Sequence, residues 1–158
     1  MTERRGSASE GRALRKLKMS SSMFGAIGFT VALLVTTAYF ILGSIPLLVL
    51  KHDTPLDARF VRGFFNTYYI AAFATATATA VSFAFAGRPG IAAGAAGLAL
   101  IAIVLRKNII PKMDALGAQI ESNCMDAIPG FRRTHITAIL INIAQLVAIV
   151  WSLVSLSR

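Results

Sequence analysis

Cysteine is almost absent from this chain: Cys124 is the only one in 158 residues. No intramolecular disulfide can form, and no cysteine cluster exists to hold zinc or an iron–sulfur centre. Histidine is nearly as scarce, with His52 and His135 alone. A catalytic metal takes three protein ligands, and two histidines supply only two strong ones. No metal or other cofactor is expected, and bis-histidine haem ligation through His52 and His135 is the one arrangement left open. Acidic residues number 7 against 16 basic ones, and none falls inside the long apolar runs. The chain therefore shows no carboxylate pair, no Ser-His-Asp or Cys-His set and no phosphate-cradling Gly-rich motif there. Also missing is any polar stretch long enough to fold as a soluble domain. That removes the nucleic-acid binder that a net charge of +9 would otherwise suggest.

What the chain does have is apolar length. Of its residues 56% are hydrophobic, more than soluble domains usually carry. Residues 23–50 hold no charge, which exceeds the ~20 residues that cross a ~30 Å hydrocarbon core. A cleaved leader would have an apolar stretch of only about 7–15 residues, so this is read as a retained first crossing. Pro46 lacks an N–H and predicts a kink near its end. Residues 63–86 form a second crossing. Its centre, ATATATA, alternates with period two, but Ala and Thr are both small and carry no inside–outside contrast. A lone strand would leave its backbone unsatisfied in lipid, so this run is read as a helix, central to the bundle because small residues permit close approach. A Gly87-Arg88-Pro89-Gly90 turn follows.

Residues 91–105 give a short third crossing in which Gly90 and Gly94 match a small-xxx-small pattern. Ile109, Met113, Leu116 and Ile120 then fall on one helical face, and Pro111 suits a first helical turn. The spacing predicts an amphipathic helix over about 110–122, lying on the membrane or continuing the third crossing through a kink. Pro129-Gly130 turns the chain into a fourth crossing over about 133–155. The expected fold is all-α: an integral membrane bundle of four transmembrane helices (23–158) with a short amphipathic surface helix between the third and fourth. Residues 1–22, with six basic residues against two Glu, are expected to be a disordered basic arm. Arg4-Arg5 lacks the surrounding pattern of a twin-arginine signal, and Glu3 and Glu10 argue against a transit peptide.

With four crossings both termini share a side, and basic residues tie at eight on each. The first helix usually dominates. Its arm carries six basic residues against Lys51, Arg59 and Arg62 on its far flank, which leans both termini to the cytoplasm. A bacterial inner membrane is the simplest setting.

The fourth crossing raises the question of function. Phe131, His135, Ala138, Asn142, Gln145 and Ile149 recur at steps of three and four and share a face. Trp151 lies opposite, where an aromatic belt would meet headgroups. An amide facing lipid would lose several kcal/mol of hydration, so the stripe is expected to face the bundle. Arg62, Asn66, Tyr69 and Phe73 make a second stripe, starting on the same side as His135. His52, Arg62, Asn66, Tyr69, His135, Asn142 and Gln145 are thus candidates for one polar pocket opening toward that side. The plainer account is that the amides glue helices together at about 0.6 kcal/mol each, while His135 and Arg62 lie near enough to the interface to be solvated anchors.

The entry to the second crossing (Pro55, Ala58, Phe60, Phe65, Tyr68, Tyr69), with Pro111 and the spacing Phe131-x-x-x-His135-x(6)-Asn142, resembles a large family of small four-helix membrane proteins of unknown function. That family is distantly similar to anthrone-oxygenase-like membrane proteins, and an animal transmembrane protein linked to drug resistance looks related. The resemblance spans nearly all the chain after residue 23 and implies the four-helix topology. Thr134 stands where the family tends to have Leu, and Ala138 where a Ser often follows the histidine. The lost hydroxyl argues against a hydrogen-bonded catalytic site.

Three functions compete. The first is a non-enzymatic membrane protein: an accessory or assembly subunit of a membrane complex, as partner or homo-oligomer, or a binder of a lipid-like molecule. The second, implied by the resemblance, is a cofactor-free oxygenase-like enzyme acting on a hydrophobic aromatic substrate. His135 would be its general base, with Arg62, Asn66 and Asn142 as polar contacts. The third is small-solute transport as an oligomer. The first is favoured because no catalytic constellation is present.

Overall fold

A computed structural model describes residues 3–49, 55–122 and 124–156. Four helices follow in order: α1 (Glu3–Leu47), α2 (Pro55–Phe85), α3 (Pro89–Glu121) and α4 (Ala127–Leu156). Each contains a stretch long and apolar enough to cross a membrane, namely Ser22–Leu47, Leu56–Phe85, Pro89–Glu121 and Ala127–Ser155. Every helix packs on its neighbour in the chain, α4 closes back on α1, and the α2–α3 seam is the most extensive. The result is an up-down-up-down ring. Its far end is where α1 and α3 finish; its near end is where they begin.

The ends of the helices follow from local chemistry. Pro46 sits inside α1 one residue before its close. Beyond it the chain tightens into Leu48 N–H to Ile45 O and Val49 N–H to Pro46 O bonds, so the proline marks a stop. Between α2 and α3, Gly87 adopts φ +71°. There the Gly87 N–H donates to Ala84 O and the Arg88 N–H to Phe83 O, the paired bonds of a Schellman ending that calls for a left-handed residue. Pro89 then opens α3 at a position where its missing N–H costs nothing.

Two expectations change. Of the two readings of the segment after residue 105, the structure shows the continuation of the third crossing and not a separate surface helix: α3 runs unbroken to Glu121 with Pro111 inside it. An internal proline costs about 3 kcal/mol. Against that, Ile109, Met113 and Ile120 are buried in the bundle core, at about 1.5–3 kcal/mol each where the alternative is water. The apolar face that suggested a membrane-surface helix is covered by protein instead. The helix of α1 extends back to Glu3. Finally, Gly90 and Gly94 are exposed, and a Cβ at either would meet nothing within 4 Å. Close helix approach occurs at Gly43, where a Cβ would fall 2.7 Å from the Phe64 ring, and at Gly117, which faces Ala58.

Candidate functional site

The stripe on α4 faces inward as its spacing requires. Phe131, His135, Ala138, Asn142, Gln145 and Ile149 are all buried, whereas Trp151 is 73% exposed. His135 is wholly enclosed, with no exposed surface, which corrects the expectation of a solvated interfacial anchor. Its imidazole stands edge-on to Phe65, ring centroids 5.0 Å apart. An imidazole fits there because α2 supplies a flat aromatic partner where α4 would otherwise need another apolar side chain.

Asn142 is the hinge of the polar core. The Tyr68 hydroxyl donates to its Oδ1 at 2.9 Å, and its Nδ2 donates to Ala138 O one turn back at 2.7 Å. The amide is thereby fixed in one orientation and links α2 to α4 across the bundle diagonal. The stripe on α2 singled out Tyr69 as a pocket candidate; the bond to Asn142 is made by its neighbour Tyr68. Tyr69 is buried beside it, yet its hydroxyl makes no hydrogen bond among the described residues. The Ser44 hydroxyl and Gln145 Nε2 are likewise buried without a bond.

Around this core lies an aromatic cluster that periodicity did not reveal. Phe40 of α1 stacks on Tyr68 (centroids 3.8 Å, planes 15° apart) and on Phe64 (5.3 Å, 16°), and meets Phe65 edge-on at 4.7 Å. Offset and edge-to-face pairs of this kind add about 0.5–1.5 kcal/mol beyond area burial. The hint in the sequence is Phe40 on the charge-free run that ends at Lys51, with the Phe64-Phe65 and Tyr68-Tyr69 pairs on the next.

The single polar pocket expected from the two stripes is divided in two. Tyr69, His135, Asn142 and Gln145 are in the core. Arg62 and Asn66 lie on the outer α2–α3 seam, where Arg62 pairs with Asp114 and Asn66 accepts from Arg106 Nε at 2.9 Å. Arg59 and Glu121 add a further ion pair at 3.4 Å. Asp114 and Glu121 lie on the part of α3 for which the spacing predicts a surface helix. Their match to Arg59 and Arg62 could have been found by running the two segments antiparallel. Phe73, last of the α2 stripe, is 40% exposed. His52, together with Lys51, lies outside the described residues. Among the described residues no group of three or more His, Cys, Asp or Glu could hold a metal ion.

Two surface concavities accompany the core. One, of about 310 Å³, runs between α1 and α2 and is lined by Val35, Thr36, Tyr39, Phe40, Phe64, Thr67, Tyr68 and Ala71. The other, of about 460 Å³, lies over the far end of the α2–α3 seam. Comparison with known proteins finds no matching family model, no matching curated protein and no matching solved structure. The chemistry is therefore argued from the geometry alone.

Proposed function

We propose that the chain is a non-enzymatic integral membrane protein that binds a lipid-like molecule along its α1–α2 face. Its setting is a bacterial inner membrane with both termini in the cytoplasm, the six basic residues of the arm setting that orientation. The observation that carries this reading is the α1–α2 groove. Its wall is the Phe64–Phe40–Tyr68 stack, its rim is the 71% exposed Tyr39, and its lining is almost wholly apolar apart from hydroxyls. Of those, the Thr36 hydroxyl is already bound to Ala32 O at 2.7 Å, so the groove offers shape and aromatic faces to a chain or flat ring. Binding sites of this volume and lining are typical for small apolar ligands.

The enzyme reading, with His135 as base, draws less support. His135, Asn142 and Tyr69 are enclosed at 0–1% exposure, and Asn142 already has both ends of its amide engaged. The resemblance to anthrone-oxygenase-like proteins fits the aromatic groove as a place for a hydrophobic ring without requiring chemistry there.

The test is photolabelling in native membranes with a diazirine-bearing aliphatic lipid, followed by peptide mapping. Labels should concentrate on Val35, Tyr39, Thr67 and Ala71, and Thr67→Trp, which fills the groove from an exposed position, should remove them. Labelling spread evenly over all outward faces would refute the proposal.

A further inference from the structure

The concavity over the α2–α3 seam has walls of opposite charge. On the α2 side stand Arg59 and Arg62, one turn apart; on the α3 side stand Asp114 and Glu121. The floor between them is made of small side chains, with Ala58 Cβ 3.6 Å from where a Cβ on Gly117 would sit, and Ala118 beside it. The charged groups meet at their tips, and the concavity they help to line is about 460 Å³. Arg62 immediately precedes the uncharged run of α2, residues 63–86, which puts this cleft just beyond the apolar layer at headgroup depth.

We infer that this cleft is a binding site for a phospholipid whose headgroup carries both a phosphate and a primary ammonium. The argument is charge complementarity in two dimensions. Both cations are arginines, whose planar forks take phosphate oxygens in pairs. Both anions are carboxylates on the facing helix, able to accept N–H bonds from an ammonium. A headgroup laid across the cleft, phosphate toward α2 and ammonium toward α3, opposes the dipole of the walls. The existing ion pairs do not bar entry. Arg59 and Glu121 are 71% and 52% exposed and Arg62 and Asp114 42% and 44%, and pairs so open to water are worth little. Each can be exchanged for a contact to the ligand. A purely anionic headgroup would satisfy one wall and be repelled by the other, and a quaternary ammonium would offer no N–H to the carboxylates. This inference rests on the chain spanning a bilayer but not on the α1–α2 groove, which lies on a different face.

The test is native mass spectrometry of the full chain in nanodiscs holding equal mole fractions of phosphatidylethanolamine, phosphatidylcholine and phosphatidylglycerol. The expected result is retention of phosphatidylethanolamine over either competitor by about tenfold. In a second series on the unaltered protein, phosphatidylethanolamine is replaced by its N-methyl and N,N-dimethyl forms and then by phosphatidylcholine. Retention should fall at each step as N–H donors are lost. Asp114→Asn with Glu121→Gln should abolish the preference over phosphatidylglycerol, while Thr67→Trp in the groove should leave it intact. A flat methylation series, equal retention of all three lipids, or an unchanged preference in a folded Asp114→Asn/Glu121→Gln variant would overturn the inference.

Discussion

At the far end of the bundle, side chains reach from helix to helix. Tyr68 donates to Asn142, Arg106 to Asn66 and Arg132 to the Leu48 carbonyl, and two ion pairs tie α2 to α3. At the near end Thr30 bonds Ala26 O, Thr79 bonds Thr75 O and Ser155 bonds Trp151 O on their own helices, as Thr134 and Thr137 do at the far end. A threonine bonded to the carbonyl four residues back shows its neighbours mainly a methyl group. The packing differs in the same sense. The far core is large and aromatic, around Phe40, Phe65, Tyr68 and Phe131. The near core is built on Leu33, Ala76, Ala99 and Ile149, beside a cavity of about 120 Å³ lined in part by Thr30, Thr79, Phe83 and Ile149. Directional bonds between helices are prominent at one end, whereas Thr30 and Thr79 at the other end present packing surfaces to their neighbours. Both concavities to which binding is assigned lie alongside the end with those directional bonds.

The comparison predicts its largest effect at Phe40. This ring is 1% exposed and touches Phe64, Phe65 and Tyr68 at once. Phe40→Ala should destabilise the fold by about 3–5 kcal/mol, the usual range for losing a core aromatic. Leu33→Ala, the counterpart at the near end, should cost about 2 kcal/mol, the low end for its type, because part of its surroundings is already void. Reversible unfolding of each variant in mixed micelles measures the difference. Equal losses at the two sites would mean that the two ends are packed alike.

The two amides of α4 sharpen the contrast, because they share a stripe but not a situation. Asn142→Leu would leave the buried Tyr68 hydroxyl without its acceptor, at about 1–3 kcal/mol for an unsatisfied group. Gln145 carries an Nε2 that has no bond among the described residues. Replacing a buried, unbonded polar group with an apolar one of similar size is neutral or stabilising, so Gln145→Leu should raise stability by up to about 1 kcal/mol. Opposite signs in the same unfolding assay are the expected outcome. A loss for both would place Gln145 in a helix-joining role as well.

How much of this was legible beforehand depends on which residues are asked. The four apolar runs and the inward stripe of α4 followed from charge-free length and spacing, because both properties act locally along one helix. The extent of α2 and α3 did not. Charge was taken as the end of a crossing, yet Arg59, Arg62, Asp114 and Glu121 continue helices and pair with one another, a relation visible only when two segments are set side by side. Pro111 misled for a related reason: its local cost is outweighed by the long-range burial of Met113 and Ile120. The choice of Tyr68 over Tyr69 as partner to Asn142 turns on about 100° of helix rotation, which is fixed by Phe40 on a third helix.

The smallest predicted effect probes the near end directly. Thr79 is buried, and among the described residues its hydroxyl bonds only Thr75 O, 2.8 Å away on its own helix. Valine has nearly the same shape and the same branched carbon. In Thr79→Val the Thr75 carbonyl keeps its place in the helix backbone, and a group that joins nothing to α1, α3 or α4 is lost. The change should therefore fall within about 0.5 kcal/mol, the scale of substitutions that touch no special feature. A loss several times larger would show the Thr79 hydroxyl making a contact across the cavity, which would bring the near end under the same directional control as the far end. A null result would mean that Thr79 serves the near end through its shape.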